Sequence, residues 1–354
     1  MRVSILSLLA GLALIAPAAA FDDLLNSVGV LSLDMDKPKA FSYIAPPDGF
    51  AADDAEFFGS FGTDPMLPRA LATGGVDELT GIDFGKVTAA ITVDLPPKTT
   101  TMLFAEPGFA EDAAETLLAR GFEQSEFAGL PVFAMGEDNL QDRAGFGQPD
   151  PFGKGIGMAQ RLAIADDHLV RTTATPDMQA ALDGLETPST MHGIWTNTIS
   201  GLRQVAGDGA TLEHATGLTM TAFVPRPRML APSSGKTKSN GARFEPEQIF
   251  PVAVLALTRT ATETGIHIAV PFNDATLAAE ASEVIAARLA ALPEAPADAQ
   301  LTVLPVGEAG PMAVAVLSIS APLDSDRALR SHYTGWLHAL DGNFPPLTFE
   351  PMGP

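Results

Sequence analysis

Cysteine is missing from this sequence, and basic residues are scarce. The 354 residues include 43 acidic and 21 basic side chains, which gives a formal net charge of −22 at pH 7. Without cysteine no disulfide can form, so the folded chain must be stabilised by packed apolar cores. Binding to nucleic acid or to an anionic membrane requires clustered Lys and Arg, and the strongly acidic balance disfavours both partners.

Long apolar runs are also missing beyond the N-terminus. Arg2 precedes an apolar run from Val3 to Pro17, and the small residues Ala18-Ala19-Ala20 follow it. This order is typical of a secretory signal peptide, whereas a membrane anchor needs about 20 uninterrupted apolar residues. We therefore expect residues 1–20 to be cleaved and a soluble mature chain to start at Phe21, without membrane insertion, in the periplasm or secreted. No cysteine stands at the cleavage point to carry a lipid anchor.

The charge is distributed unevenly along the chain. Residues 21–150 carry 23 acidic and 7 basic side chains, and residues 151–354 carry 20 and 13. Five bases without an intervening acid lie within 18 positions of the second part: Arg226, Arg228, Lys236, Lys238 and Arg243. Residues 225–243 are also rich in Pro, Ser and Gly, which predicts a linker or long loop. A solvated linker is the default interpretation; of the binding roles, we favour contact with the acidic N-terminal part over an external anionic group.

Strand patterns alternate with amphipathic helices. The segments from Met102 to Gly121 and from His267 to Ala291 share one plan, in which an apolar strand, a turn with Pro and Phe, and an amphipathic helix follow one another. We therefore predict an α+β fold of two related units, each an antiparallel sheet with helices packed on one face, of the split βαβ or ferredoxin-like kind. Accidental similarity between alanine-rich segments is the alternative explanation.

The predicted domain boundaries follow from length and composition. About 330 mature residues exceed what one core usually serves, which favours two domains. We assign residues 21–224 to the first domain and residues 244–354 to the second, with residues 225–243 between them. Among the shorter elements, Val28 to Leu33, Val87 to Leu95 and Leu218 to Val224 are predicted strands. Two further strands, Val252 to Thr260 and Gly265 to Pro271, are predicted to form a hairpin.

A resemblance covers residues 87–224. The run from Leu162 to Val170 reads as a strand, an Asp-rich turn and a strand; a capped helix from Thr175 to Leu182 and another helix from Trp195 to Val205 follow. This order resembles a pattern in uncharacterised exported proteins of bacterial and archaeal envelopes. The resemblance implies tandem α+β repeats in the cell envelope, and it carries over no catalytic residue.

Catalytic motifs are weak. Ser233-Ser234-Gly235-Lys236 has the Ser-x-x-Lys spacing, but its Pro and Gly neighbours disfavour the helical turn that would bring the lysine to the serine. The six histidines show no His-Glu-x-x-His arrangement for zinc. The glycine-rich run from Gly153 to Gly157 lacks the Gly-Lys-Ser/Thr ending of a P-loop, and a flexible loop is the favoured interpretation.

Calcium is a better metal candidate than zinc, because an exported acidic protein offers carboxylate oxygens. The candidate ligands lie in three short acidic clusters: Asp34 and Asp36, Asp53 and Asp54, and Asp166 and Asp167. None of these clusters has the spaced ligands and final Glu of a calcium loop. Each is more typical of a turn or a solvated face.

These observations favour a soluble exported envelope protein that binds or assembles, without a cofactor and without catalysis. Another envelope protein is one partner to consider. Two alternatives stay open at this point: an exported hydrolase whose catalytic residues lie apart in sequence, and an acidic calcium-dependent module. A deep pocket in which Ser, His and a carboxylate converge would favour the hydrolase.

Overall fold

The computed structural model describes fourteen ranges of the chain. They are residues 16–30, 40–47, 49–59, 66–95, 98–146, 149–153, 156–186, 192–207, 209–219, 252–272, 274–290, 300–305, 312–323 and 329–336 without 335. The basic segment 225–243, with Arg226, Arg228, Lys236, Lys238 and Arg243, lies outside these ranges. So do Asp34, Asp36 and Ser233 to Lys236.

The helices are α1 (Ala16–Val30), α2 (Ala52–Gly59), α3 (Met66–Thr73), α4 (Ala113–Ala119), α5 (Thr175–Glu186), α6 (His192–Ala206) and α7 (Ala275–Ala290). Residues 329–334 are also helical. Within the described ranges, no helix has both the length and the apolar character that a membrane crossing requires.

Fourteen strands are described. They are β1 (Ala40–Ile44), β2 (Val87–Leu95), β3 (Lys98–Ala105), β4 (Glu123–Phe127), β5 (Leu130–Met135), β6 (Gln141–Phe146), β7 (Ile156–Met158), β8 (Gln160–Ile164), β9 (His168–Thr172), β10 (Thr211–Thr219), β11 (Val252–Arg259), β12 (Glu263–Phe272), β13 (Gln300–Pro305) and β14 (Ala313–Pro322).

Twelve of these strands form one antiparallel sheet in the order β13-β14-β12-β11-β10-β1-β2-β3-β9-β8-β5-β4, and β6 pairs with β7 separately. The α+β class and the antiparallel pairing are therefore confirmed. Strands β10 and β11 pair along their length, from Thr211 opposite Arg259 to Thr219 opposite Val252. Because β10 and β11 lie on either side of segment 225–243, both predicted domains contribute strands to the same sheet.

Helices cover both faces of this sheet, where the sequence led us to expect them on one. In β11, Val254 and Ala256 point into one apolar core, and Leu255 and Leu257 point into the other. The first core includes side chains of α1, α5 and α6, and the second includes side chains of α2, α3, α4, α7 and residues 329–336. A strand that is apolar on both sides must be buried on both sides, so each face needs its own layer of helices.

The two units have the same topology. Without α2 and α3 between β1 and β2, and without β4 to β7, the first follows the order α1-β1-β2-β3-α4-β8-β9. The second follows the order α6-β10-β11-β12-α7-β13-β14. Within the sheet, the order β1-β2-β3-β9-β8 is matched by β10-β11-β12-β14-β13. The equivalence of β3-α4 with β12-α7 is the one predicted from the two similar sequence segments. By this topology the second repeat begins at α6, and segment 225–243 lies inside it, between its first two strands.

The two repeats differ most in the segment that joins the central helix, α4 or α7, to the strand that follows it in the shared plan, β8 or β13. In the first repeat, residues 120–159 join α4 to β8 and include β4, β5, β6 and β7. In the second repeat, only nine residues, 291–299, join α7 to β13. Nine residues cannot form four strands, so this insertion, residues 120–159, is specific to the first repeat.

Two predicted strands are corrected by the structure. Residues 28–30 belong to α1, because Phe21, Leu24 and Val28 follow one another at helical spacings of three and four and are buried on one side. The predicted signal-peptide cleavage before Phe21 falls inside this helix. The strand predicted from Leu218 to Val224 begins earlier, at Thr211, and it is described as far as Thr219; residues 220–224 lie outside the described ranges. Its central Glu213 and His214 are fully buried polar residues, which hide the apolar pattern of a strand.

Candidate functional site

A cavity of about 350 Å³ lies where the insertion meets the end of α4. Its volume is within the range of small-molecule sites in proteins. Among the residues that the structure describes, the cavity is lined by Arg120, Met135, Gly136, Glu137, Leu140, Gln141, Asp150, Gly153, Gly157, Met158, Ala159 and Gln160. All of them except Gln160, the first residue of β8, belong to the insertion. The cavity therefore depends on the insertion, which is specific to the first repeat.

One end of the cavity is polar. The Arg120 guanidinium donates from Nη2 to Asp150 Oδ2 at 2.7 Å and from Nη1 to the Leu79 carbonyl. The Gln160 amide donates from Nε2 to the same Asp150 oxygen at 3.0 Å. The second oxygen, Asp150 Oδ1, accepts from the backbone N–H of Phe152 at 2.9 Å. Both oxygens of Asp150 are therefore occupied, and its charge is matched by the guanidinium.

Gln160 also brings an unsatisfied acceptor to this end. The residue is 2% exposed, and its Oε1 is closed off from solvent, with no hydrogen-bond partner among the described residues. The amide orientation is fixed by the Asp150 contact, because only Nε2 can donate to a carboxylate. A buried polar atom without a partner costs about 1–3 kcal/mol.

The other walls of the cavity are apolar. Met135, Met158 and Ala159 are at least partly buried, whereas Leu140 remains 54% exposed. Apolar walls with a few convergent polar groups are typical of a binding pocket. Gly153 lies close to Asp150: a Cβ at position 153 would be 3.2 Å from the Asp150 Cβ. Glycine therefore lets this loop turn tightly around the carboxylate.

The turn from Met135 to Leu140, which forms one wall, is fixed by Arg161. This buried guanidinium donates to the carbonyls of Met135 at 3.0 Å and Gly136 at 2.8 Å, and it pairs with Asp138 Oδ1 at 2.5 Å. A rigid fork of donors suits several fixed acceptors better than a flexible amine does. The cavity wall is therefore formed before any ligand binds.

The turn is held from a second side by Thr173. Its hydroxyl donates to Asn139 Oδ1 at 2.8 Å, and its carbonyl accepts from the Asn139 N–H at 2.9 Å. Asn139 has a φ of 60°, a left-handed conformation that asparagine tolerates better than most residues. Arg161 and Thr173 lie on β8 and at the end of β9, so the sheet itself positions this wall.

A second polar cluster lies in the centre of the sheet, where a hydrolytic site would be sought. His214 Nε2 is 3.1 Å from the Ser42 hydroxyl, and its Nδ1 contacts the Tyr333 hydroxyl. Burial lowers the pKa of His214 to about 3 and raises that of Tyr333. A catalytic histidine is normally oriented by a carboxylate, and here a phenol takes that place. Since both His214 and Ser42 are buried and neither lines the cavity, the cluster suits a structural role.

The buried carboxylate next to His214 is held by arginines. Glu213 is fully buried; Arg259 contacts one of its oxygens, and Arg330 lies 3.9 Å from the other. Arg330 also donates to Asp54 Oδ1 at 2.8 Å. These ion pairs join β10, β11, α2 and the helical residues 329–334. They satisfy a buried charge that would otherwise be very costly.

The acidic clusters proposed for calcium lie apart from the cavity. Asp53 is exposed in the first turn of α2, while Asp54 pairs with Arg330. Asp166 and Asp167 form the predicted turn between β8 and β9, and Asp167 contacts His168 Nδ1 at 2.7 Å. Within the described residues, no group of three or more His, Asp or Glu side chains could hold a metal ion. Calcium binding stays a prediction.

The sequence did not reveal the cavity residues. Arg120, Asp150 and Gln160 lie in three different segments, and no known motif joins them. The glycine-rich run from Gly153 to Gly157 was the only signal, and two of its glycines line the cavity. No sequence motif of fixed spacing could have revealed the other lining residues, because strand pairing within the insertion brings these residues together.

Comparisons with known proteins give little further information. No protein-family model and no curated protein matches the sequence. The protein TP0453, in its crystal form I, aligns with 88% of this chain and 97% of its own, with a TM-score of 0.38 and 11% identity. A similarity this low carries neither fold nor function over to this chain.

Proposed function

We propose that the chain is an exported, soluble envelope protein that binds a small molecule in the cavity of its first repeat. The observation that carries this proposal is that the insertion builds a preformed cavity of about 350 Å³, with a polar end at Arg120 and Asp150 and apolar side chains along its other walls. The shared repeat plan supplies the sheet on which the cavity rests. The second repeat then acts as a scaffold for the first.

Binding is favoured over catalysis by the chemistry of the cavity walls. Of the twelve lining residues that the structure describes, none is Ser, Thr, Cys, His, Lys or Tyr, so this part of the lining has no hydroxyl, thiol or amine nucleophile with an adjacent base. Asp150 is neutralised by Arg120 and has no free oxygen to act as a general base. The polar groups are therefore suited to orient a ligand.

Two exposed leucines allow a sharp test of binding. Leu140 borders the cavity, whereas Leu118 is similarly exposed on α4 but is not a lining residue. The full chain is expressed in a bacterial host, purified from the periplasm without denaturant and examined by native mass spectrometry. We expect a bound small molecule in the parent and in L118W, and its loss in L140W, because tryptophan fills the mouth of the cavity. An unliganded parent protein, or equal occupancy in L140W and L118W, would contradict the proposal.

Export is tested separately. The pattern in residues 1–20 supports secretion with cleavage before Phe21. After expression with the native N-terminus, we expect the protein in the periplasmic fraction, with Phe21 as its first residue by N-terminal sequencing. An intact N-terminus in the cytoplasmic fraction would contradict export.

A further inference from the structure

We infer that the fold contains a binding site for its own mature N-terminus, in which the Tyr43 hydroxyl and the Asp23 carboxylate hold the α-ammonium group that cleavage before Phe21 creates. This inference rests on the proposed function, because it requires export with cleavage between Ala20 and Phe21. Three observations lead to it: the burial of that peptide bond, the hydrogen bond that cleavage removes, and the carboxylates beside the new terminus.

The peptide bond between Ala20 and Phe21 lies in a buried part of α1. Ala20 is 6% exposed and Phe21 is 1% exposed, and both belong to the apolar core that includes side chains of α5 and α6. Leu24 continues the same buried face of the helix. A peptidase cannot reach a bond in this position, so cleavage must precede folding. Residues 21–30 can still form this face afterwards, and the new terminus then lies at the edge of the core.

Cleavage removes the acceptor of a buried hydroxyl. The Tyr43 hydroxyl donates to the Ala20 carbonyl at 2.7 Å, and Tyr43 is fully buried. Hydrolysis by a signal peptidase adds one water across the bond: Ala20 leaves with the signal peptide as a carboxylate, and Phe21 keeps a protonated amine. The Tyr43 hydroxyl then needs a new partner, because leaving a buried polar group unpaired is costly.

The new ammonium group is close enough to become that partner. The carbonyl oxygen and the amide nitrogen of one peptide unit are about 2.3 Å apart, so the Phe21 nitrogen of the uncleaved chain lies within about 5 Å of the Tyr43 hydroxyl. A phenol can both donate and accept, whereas an ammonium group only donates. A small shift of the terminus therefore lets the ammonium group donate to Tyr43, and the hydroxyl proton becomes free for a carboxylate.

Asp23 supplies this carboxylate. Burial raises the pKa of the Tyr43 hydroxyl, and the negative charge of Asp23 raises it further, which indicates that the carboxylate lies near the hydroxyl. In the uncleaved chain, burial and the neighbouring Asp22 raise the pKa of Asp23 to about 6, so this carboxylate is stabilised by a positive neighbour. Asp22 and Asp23 also lie in the first turn of the shortened helix, where carboxylates offset the repulsion between an ammonium group and the helix dipole.

The elements packed against α1 leave Asp23 available for this contact. Strands β2 and β10 and helix α5 bring apolar side chains to the shared core, such as Ala89, Leu212 and Met178. Helix α6 brings Arg203, which pairs with Asp22 at 3.0 Å. Of the two adjacent carboxylates, Asp23 is therefore the one that can pair with the ammonium group without breaking an ion pair.

The reactivity of the terminal amine tests the inference on the protein that is expressed with its native N-terminus and purified from the periplasm. An amine-reactive ester is added at limiting concentration between about pH 7 and pH 10, and modification of the Phe21 amine is followed by mass spectrometry. We expect this amine to react at least about tenfold more slowly in the folded protein than in urea. Its pKa should lie above about 9, against an ordinary value of about 8, because the Asp23 carboxylate favours the ammonium form.

Two variants remove the proposed partners one at a time. We expect Asp23→Asn to return the pKa of the Phe21 amine to about 8 and to make the amine react about tenfold faster in the folded protein. Tyr43→Phe should also increase this reactivity; if Y43F does not fold, the result for D23N decides. Asp53→Asn is the control, because Asp53 is exposed in the first turn of α2 and should leave the pKa of the amine unchanged.

The outcomes distinguish this inference from the proposed export. A first residue other than Phe21 overturns the predicted cleavage and this inference together, and N-terminal sequencing shows it before any labelling. A Phe21 amine that reacts as fast in the folded parent as in urea overturns the binding of the N-terminus and leaves export intact. An unchanged pKa of the amine in D23N overturns the role of Asp23.

Discussion

His267 is a buried histidine that is kept neutral by its surroundings. Its Nε2 is 2.8 Å from the Thr258 hydroxyl, and its Nδ1 is 2.8 Å from the Ser318 hydroxyl. Burial lowers its pKa from 6.5 to about 4. Hydroxyl groups can either donate or accept, so they satisfy the neutral ring in either tautomer.

We predict that His267 makes stability depend on pH between 6.5 and 4. On acidification the unfolded histidine takes up its proton first, so the stabilisation present above pH 6.5 is lost as pH falls, by up to about 1.4 kcal/mol per pH unit. In His267→Asn this loss disappears. The difference in free energy of unfolding between parent and variant, measured by urea denaturation, should therefore shrink from pH 7 to pH 4.

Asp23 is the reason to compare the two proteins rather than to use the parent alone. Burial and the neighbouring Asp22 raise the pKa of Asp23 to about 6. The stabilisation from Asp23 is present below its ordinary pKa of 3.8 and is lost as pH rises through 6. This pH dependence is opposite to that of His267. Since Asp23 is the same in both proteins, its effect cancels. A constant difference between pH 7 and pH 4 would contradict the role given to His267.

Gly217 lies directly opposite Phe41 in the pairing of β10 with β1. A Cβ at position 217 would be 1.8 Å from a ring carbon of Phe41, which is fully buried against Trp195. We predict that Gly217→Ala lowers the free energy of unfolding by at least about 2 kcal/mol, because the ring has no room to move. Gly209→Ala, with nothing within 4 Å, is the control for urea denaturation. Equal stability of the two variants would contradict this packing argument.

At the scale of elements, the cavity depends on the turn from Met135 to Leu140. Arg161 holds this turn through two carbonyls and Asp138. We predict that Arg161→Lys lowers the free energy of unfolding by about 2 kcal/mol, since hydrogen bonds to a charged group contribute about 1.5–3 kcal/mol and lysine cannot reproduce the fork. The fraction of protein that carries a bound small molecule in native mass spectra should fall as well, because the wall is no longer fixed.

Arg203→Lys provides the matched control. Arg203 pairs with Asp22 at 3.0 Å on the surface, where both side chains are about half exposed. Exposed ion pairs contribute about 0–1 kcal/mol, so this variant should retain its stability and its ligand binding. An R161K protein as stable as R203K, with unchanged binding, would show that the turn does not depend on Arg161.

The elements also show what the sequence could predict. Strand β2 was predicted with its observed bounds, and the β11–β12 hairpin was predicted within two residues of them, because their apolar runs end at clear turns. The first part of strand β10 was missed because its buried Glu213 and His214 pair with partners from distant segments. The cavity escaped prediction for the same reason: Arg120 and Asp150 meet through tertiary pairing, which no local pattern encodes.

At the scale of the whole molecule, the continuous sheet should make the two repeats unfold together. The core on the α4 and α7 side contains side chains of both repeats, such as Leu103 and Leu255, and β1 pairs with β10 across the repeat boundary. We predict a single unfolding transition by calorimetry. Both native tryptophans, Trp195 and Trp336, lie in the second repeat, so L118W adds a reporter to the first. Different midpoints from the two reporters would contradict cooperative unfolding.

The antiparallel pairing of β1 with β10, the first strands of two equivalent units, has the geometry of a symmetric homodimer contained in one chain. A single repeat with this topology would expose β1 as an open edge, and a second copy related by a twofold axis would cover it. Joining the copies in one polypeptide makes their association independent of protein concentration. It also releases them from being identical, so that one copy can acquire a specialised loop while the other preserves the shared architecture.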